Sequence, residues 1–262
     1  MVSWKLYQKL KLKKYRQEWN LFFIEGKRLC QEALESGWQI EAAFRNPDFQ
    51  KDLLFPFFEK RLREKNIPLQ VLSATNFQKL ADTQNPQGIL LIMQIPRVSP
   101  LIEDDWKQQP LMLLLDGIRD PGNLGTIMRT ADWFGVRYLV SSSDTADFYN
   151  PKTIRASMGS LFRMNCRECS NLIEFAHLLN KHKIKILATS SNATTVLEET
   201  RVTFPLALLL GSEATGISPA LLNCSSEIIQ IKKYGQAESL NVAVATGILL
   251  NYFAGKYRKW SD

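Results

Sequence analysis

Cysteine, histidine and long apolar runs are all scarce in this chain of 262 residues, and each scarcity closes off a class of protein. The cysteines are Cys30, Cys166, Cys169 and Cys224, and they supply one CxxC, at Cys166 and Cys169. A structural zinc site wants a second such pair or a closely spaced histidine pair. The two histidines, His177 and His182, fall in a stretch patterned as a polar helix face. Reduced, unligated thiols in a cytoplasmic setting are therefore expected, with no bound metal. Apolar runs such as Leu111 to Leu115 and Leu206 to Leu210 stop well short of the roughly 20 residues that cross a bilayer, so no membrane span is expected. Met1 to Lys14 carries lysines but no apolar core of signal-peptide length, and export is not expected. Hydrophobic residues at 45% and charged residues at 23% lie near average usage, which excludes disorder as the governing property.

Acidic residues are also in deficit, and the formal net charge is +7. Most of the surplus sits in Met1 to Arg28, where Lys5, Lys9, Lys11, Lys13, Lys14, Arg16, Lys27 and Arg28 face only Glu18 and Glu25. Trp4, Tyr7, Tyr15 and Trp19 are interleaved with them. Cations beside aromatic rings suit phosphate contact and base stacking. A solvated amphipathic helix would show the same charge pattern.

Hydrophobic periodicity divides the chain in two. Leu21 to Ile24, Ile40 to Phe44, Leu69 to Leu72 and Gly88 to Ile95 read as strands. Between them lie helical patterns around Leu29 to Leu34, over Phe49 to Asn66 with a break or start near Pro56, and at Asn76 to Ala81. Pro96, Pro100 and Pro110 then punctuate an acidic stretch. We expect one unit at 1–98, a linker at 99–109 and a second unit at 110–262. The second unit repeats strand, loop and helix, which predicts a mainly parallel sheet with helices on both faces. Its expected strands are Leu111 to Leu115, Val136 to Val140, Ile184 to Thr189, Leu206 to Leu210 and Ile228 to Ile231; its last helix is expected at Leu240 to Lys256.

Ligands of open α/β sheets bind beyond the carboxyl ends of strands, and three loops there are rich in glycine and polar residues. The first, Asp116 to Arg129, carries Gly117, Pro121, Gly122, Asn123 and Gly125. Asn123 is placed to cap a helix that presents Arg129. The second is Gly211-Ser212-Glu213-Ala214-Thr215-Gly216. The third is Tyr234 to Asn241, in which Ser239 reads as the cap of the last helix. Taken singly, Asn123 reads as a cap, Arg129 as an exposed helix residue and Glu213 as a turn carboxylate. None of the loops has the GxGxxG spacing, followed by an acidic residue, of a dinucleotide oxidoreductase.

Taken together, the loops resemble the SpoU, or TrmH, family of RNA ribose 2′-O-methyltransferases in the SPOUT superfamily. NxGxxxR is matched by Asn123, Gly125 and Arg129, GxExxG by Gly211, Glu213 and Gly216, and a glycine followed by SLNV by Gly235 and Ser239 to Val242. Asn150 to Ser160 is similar to a further stretch of the family. Tyr15-Arg16, Phe22 to Gly26 and Asn85 to Gly88 look like its L30e-like substrate-binding domain. One departure stands out: the family's third motif usually opens Ile-Pro-Met, and this chain has Ile231-Lys232-Lys233.

The resemblance implies an α/β SPOUT domain with a deep trefoil knot, S-adenosylmethionine as cofactor and a homodimer formed through the carboxy-terminal domain. It implies structured RNA as substrate, with ribosomal RNA favoured over transfer RNA. Arg129 engages the ribose hydroxyl, and because an arginine holds its proton at neutral pH, orienting suits it better than acting as base. Asn123 and Glu213 are implied to shape the network around it, with Ser239 and Asn241 fixing the catalytic loop. Gly211, Ile231 and Leu240 are implied to meet the cofactor through backbone atoms. A non-catalytic RNA-binding protein on the same scaffold would have lost these side chains. Val244, Ile248 and Tyr252 form one stripe of the last helix, as core or as a subunit contact.

Overall fold

The structure, a computed structural model, describes residues 3–96, 109–201 and 203–261, the side chains of 257–261 excepted. All but the last residue of the expected linker falls outside them. Two compact units result: Met1–Arg97 with Tyr149–Phe162, and Val98–Phe148 with Arg163–Asp262.

In the first unit, strands β1 (Leu21–Glu25), β2 (Ile40–Arg45), β3 (Leu69–Val71) and β4 (Ile89–Gln94) form a sheet in the order β1-β4-β2-β3. β4 runs antiparallel to β1 and β2, and β2 runs parallel to β3. Strand β4 is buried from Ile89 to Met93, as expected of a central strand covered on both faces. The long helical pattern resolves into a 3-10 turn at Asp48–Lys51 and a helix at Phe55–Glu64 with Pro56 in its first turn, where a missing N–H costs nothing. Ser73 caps the helix Ala74–Leu80 by accepting from the Asn76 N–H at 3.3 Å.

Tyr149–Phe162, remote in sequence, is part of this unit. Tyr149 packs on Phe22 with ring centroids 5.0 Å apart, and Phe162 on Trp38 at 5.3 Å. Arg155 pairs with Asp82 at 2.8 Å. Gly159 holds a φ of +93°, and a Cβ there would lie 3.0 Å from the Glu32 side chain. Periodicity reports only local partners, so this long-range docking is invisible to it.

The second unit holds β5 (Leu111–Asp116), β6 (Tyr138–Ser142), β7 (Asn165–Cys169), β8 (Lys185–Thr189), β9 (Thr195–Val196), β10 (Leu206–Gly211) and β11 (Glu227–Gln230). They form one sheet in the order β7-β6-β5-β10-β8-β11-β9, and its pairings are parallel. β5 and β10 lie inside the sheet and are buried over five residues each, which explains their unbroken leucine runs. Met112, Leu114, Ala207 and Leu209 pack with Phe175, Ala176 and Leu179 of the helix Leu172–Lys181. The helix Val242–Ser261 packs on β10 and on the helix Pro121–Trp133.

Candidate active site

Parallel register aligns the loops. Gly211, the last residue of β10, lies opposite Asp116, the last of β5. On the other side of β10, β8 pairs with β11, and Thr189 lies opposite Ile229. Loops that leave β5, β10 and β11 therefore emerge along one carboxyl edge, where the sheet geometry places ligands. The Asp116 carboxylate accepts from the Ser218 N–H at 2.8 Å, fastening the β5 end to the stretch that follows β10.

Asn123 is not the cap of its helix. Asp120 caps it, accepting from the Asn123 N–H at 2.8 Å, and Pro121 follows at the first helical position. With the cap supplied by Asp120, the Asn123 amide is free to reach across to the second loop. Its Nδ2 donates to Glu213 Oε1 at 2.5 Å. Nor does Ser239 cap the last helix. That helix begins at Val242, and Asn241 Oδ1 accepts from the N–H groups of Ala243 at 2.9 Å and Val244 at 3.3 Å. The other end of the same amide, Asn241 Nδ2, donates to Asn123 Oδ1 at 3.0 Å and to Glu213 Oε1 at 3.4 Å. The Val242 N–H also points to Glu213 Oε1, at 3.5 Å.

Three donors thus converge on one carboxylate oxygen, and each comes from a different loop or from the start of the last helix. The start of the helix Val242–Ser261, with its N–H groups, faces this oxygen. All three side chains reach solvent, so the network fixes geometry more than it adds stability.

A cavity of about 620 Å³ lies beside this network, a size suited to a small ligand. Leu210, Gly211, Ile217, Ile231, Leu240 and Leu249 line it, with Ser239 and Glu213 at its wall. Gly211 makes the closest approach: a Cβ there would lie 2.4 Å from the Gly216 carbonyl carbon and 2.5 Å from the Ile217 nitrogen. Gly216 in turn needs its positive φ of +67°. Its N–H donates to the Ser212 carbonyl at 2.8 Å, which closes the turn that carries Glu213.

Of the sequence-expected residues, Asn123, Glu213 and Asn241 meet in the network, and Gly211, Ser239, Ile231 and Leu240 line the cavity. Arg129 belongs to neither group. It is exposed on the helix Pro121–Trp133, and its guanidinium makes no hydrogen bond or ion pair among the described residues. Sequence reasoning missed Asp120, whose position before Pro121 was the available signal. It also missed Thr189 and Ser190, which line the cavity because β8 ends beside β10. The CxxC pair lies apart, on edge strand β7. Burial raises both thiols above their ordinary pKa, Cys166 most strongly.

Residues 110–251 match the SpoU rRNA Methylase family, and residues 4–91 match an MRM3-like substrate binding domain. The chain belongs to the SpoU rRNA methylase family. The 23S rRNA (guanosine(2553)-2′-O)-methyltransferase RlmP of Bacillus subtilis is 34% identical to it over 95% of this chain and 94% of its own length. The 23S rRNA (guanosine-2′-O-)-methyltransferase RlmB of Pectobacterium atrosepticum is 31% identical over 72% of this chain and 79% of its own. An AdoMet-bound rRNA methyltransferase from Sinorhizobium meliloti superposes with a TM-score of 0.82 at 29% identity, covering 97% of this chain and 94% of that one. The SpoU methyltransferase AviRb from Streptomyces viridochromogenes, solved with AdoMet, shares the fold with a TM-score of 0.86 over 97% of both chains at 24% identity. The networked asparagines and glutamate of this SpoU member lie in the three loops whose sequence resembles the family's motifs.

Proposed function

We propose that this protein transfers a methyl group from S-adenosylmethionine to a ribose 2′-hydroxyl of 23S ribosomal RNA. The observation that carries the reading is the convergence of Asn123, Asn241 and Val242 on Glu213 beside an apolar cavity lined by Gly211 and Ile231. The fit to the cofactor rests on that cavity: its volume suits a nucleoside, and its apolar wall and close-packed glycine turn leave main-chain groups to recognise adenine. When bound, S-adenosylmethionine supplies an electrophilic methyl on a sulfonium. Gly211, Ile231 and Leu240 hold the adenosine through backbone atoms. The Asn123–Glu213–Asn241 network keeps the three loops in register. Arg129, whose five donors meet no partner among the described residues, orients the ribose hydroxyl, and positioning is the main source of rate.

We assign RNA capture to the first unit, with its matched substrate-binding domain, and methyl transfer to the second. A homodimer through the second unit is supported by three apolar side chains on the paired helices: Trp133 is 83% exposed, Val244 54% and Ile248 41%. Each of the three faces solvent, while Leu249, Leu250 and Phe253 turn inward. The family's trefoil knot in the carboxy-terminal segment and a cytoplasmic setting belong to the same reading.

Calorimetry with S-adenosylhomocysteine, alongside NAD, tests the cofactor. Mapping 2′-O-methyl groups in total RNA with and without the gene tests the substrate. Heat with S-adenosylhomocysteine alone, and loss of one methyl group from 23S rRNA, are the expected results. A methyl lost from transfer RNA instead would move the substrate assignment, and loss of none, with no heat, would overturn the reading.

A further inference from the structure

The third loop opens with a segment that departs from the family pattern. Ile231 is half-buried at the cavity wall, but Lys232, Lys233 and Tyr234 stand in solvent at the same cavity's rim. Tyr234 is 87% exposed, and Lys232 Nζ lies 5.4 Å from its ring centroid. A single exposed ring is ordinary on a protein surface. An exposed ring flanked by two cations, one resting on its face, at the mouth of a cavity is the arrangement that single-stranded nucleic acid uses: a base stacks on the ring and phosphates meet the charges.

Leu210 and Ile229 line the same cavity but are buried, whereas Lys232, Lys233 and Tyr234 line it with their side chains in solvent, where a second ligand can reach them. The nearest acid on the loop, Glu238, offsets only one of the two charges. A ribose hydroxyl directed into such a site comes from a nucleotide drawn out of regular stacking, and its neighbours then present open faces. Resting on the methyltransferase reading, we propose that Tyr234 stacks on an unpaired base next to the target nucleotide, while Lys232 and Lys233 neutralise the adjoining phosphates.

The test uses the full chain and an unmodified 23S rRNA transcript, with Tyr234→Ala and Lys232→Gln/Lys233→Gln as variants. Tyr234→Phe and Lys232→Arg/Lys233→Arg serve as conservative partners. Tyr234→Ala should raise the KM for RNA about tenfold, equivalent to ~1.4 kcal/mol and within the usual stacking range, with kcat unchanged. Tyr234→Phe should restore the KM. The double glutamine variant should flatten the salt dependence of RNA affinity by roughly 1.4 units of log–log slope, from about 0.7 per single-strand phosphate contact. The arginine pair should restore it. S-adenosylhomocysteine affinity should stay constant throughout. Transfer by the wild type with an unchanged KM and salt slope in the variants overturns this proposal alone, as does a parallel loss of cofactor affinity. Absence of transfer by the wild type overturns the methyltransferase reading and this proposal with it.

Discussion

Gly211→Ala offers a severe test because the structure predicts its mechanism as well as its sign. An added Cβ would lie 2.4 to 2.6 Å from main-chain atoms of Gly216 and Ile217, whereas carbon contacts settle near 3.5 Å or more. Backbone cannot swing aside as a side-chain tip can, so the turn that carries Glu213 must move by on the order of 1 Å. Overpacking of this kind costs about 1–3 kcal/mol. For a chain of this size that is a fall in Tm of roughly 2–10 °C. The functional cost is larger, since a 1 Å misplacement of positioning groups lowers rate about 100-fold. Two neighbours separate crowding from other causes. Gly216→Ala meets no atom within 4 Å but must hold φ at +67°, a strain of about 1–2 kcal/mol without a clash. Gly235→Ala meets nothing within 4 Å and should leave Tm unchanged. Thermal melts and calorimetry with S-adenosylhomocysteine rank the three. Wild-type cofactor affinity and Tm in Gly211→Ala, or a larger fall in Tm in Gly235→Ala, would refute crowding at Gly211.

Arg129→Ala should abolish methyl transfer while cofactor affinity holds, because the exposed guanidinium neither lines the cavity nor joins the network; a matching loss of affinity, seen by calorimetry, would reassign it. In the amino-terminal basic stretch, Lys5, Lys9 and Lys14 are exposed, the last two over the Tyr15 ring at 5.1 and 6.0 Å. Their replacement with Gln should flatten the salt slope of RNA binding by roughly two to three units, measured by filter binding from low to high salt. Lys11→Gln should instead lower Tm and leave the slope alone, since Lys11 donates to the carbonyls of Lys79 and Ala81 at 3.1 and 2.5 Å. Trp133→Asp should convert dimer to monomer in light scattering at micromolar concentration, and a wild type that is monomeric there would refute the dimer assignment.

What the sequence made legible follows from where burial is one-sided or complete. β5 and β10 announced themselves as leucine runs because both their faces are covered. β7 did not: Asn165-Cys166-Arg167-Glu168-Cys169 is a sheet-edge strand with little apolar content, and the CxxC inside it drew attention for a reason unrelated to pairing. The motif residues were legible by type and spacing, yet two caps were misplaced. A cap is identified by which amide its side chain reaches, and Asp120 and Asn241 were each as plausible in composition as Asn123 and Ser239. Charge was legible as a total but not as a function. Arg16, counted among the RNA-facing cations, is 2% exposed and donates to the Leu10 carbonyl at 2.7 Å, and Lys27 is paired with Asp52. The hydrogen bond from Lys27, helped by one from the Leu54 N–H, holds the Asp52 carboxyl below its ordinary range, so the pairing is lost only as pH falls below that range.

The membership of Tyr149–Phe162 in the first unit bears on how such proteins can be rebuilt. A chimera joined at one point near residue 98 would exchange Phe22, Trp38, Glu32 and Asp82 but keep the donor's Tyr149, Phe162, Gly159 and Arg155. The graft would then expose two aromatic rings, leave one arginine without its carboxylate and set a glycine turn against an unfamiliar side chain. Recombination that respects the fold needs three breakpoints, because fourteen residues of the first unit are carried inside the sequence of the second.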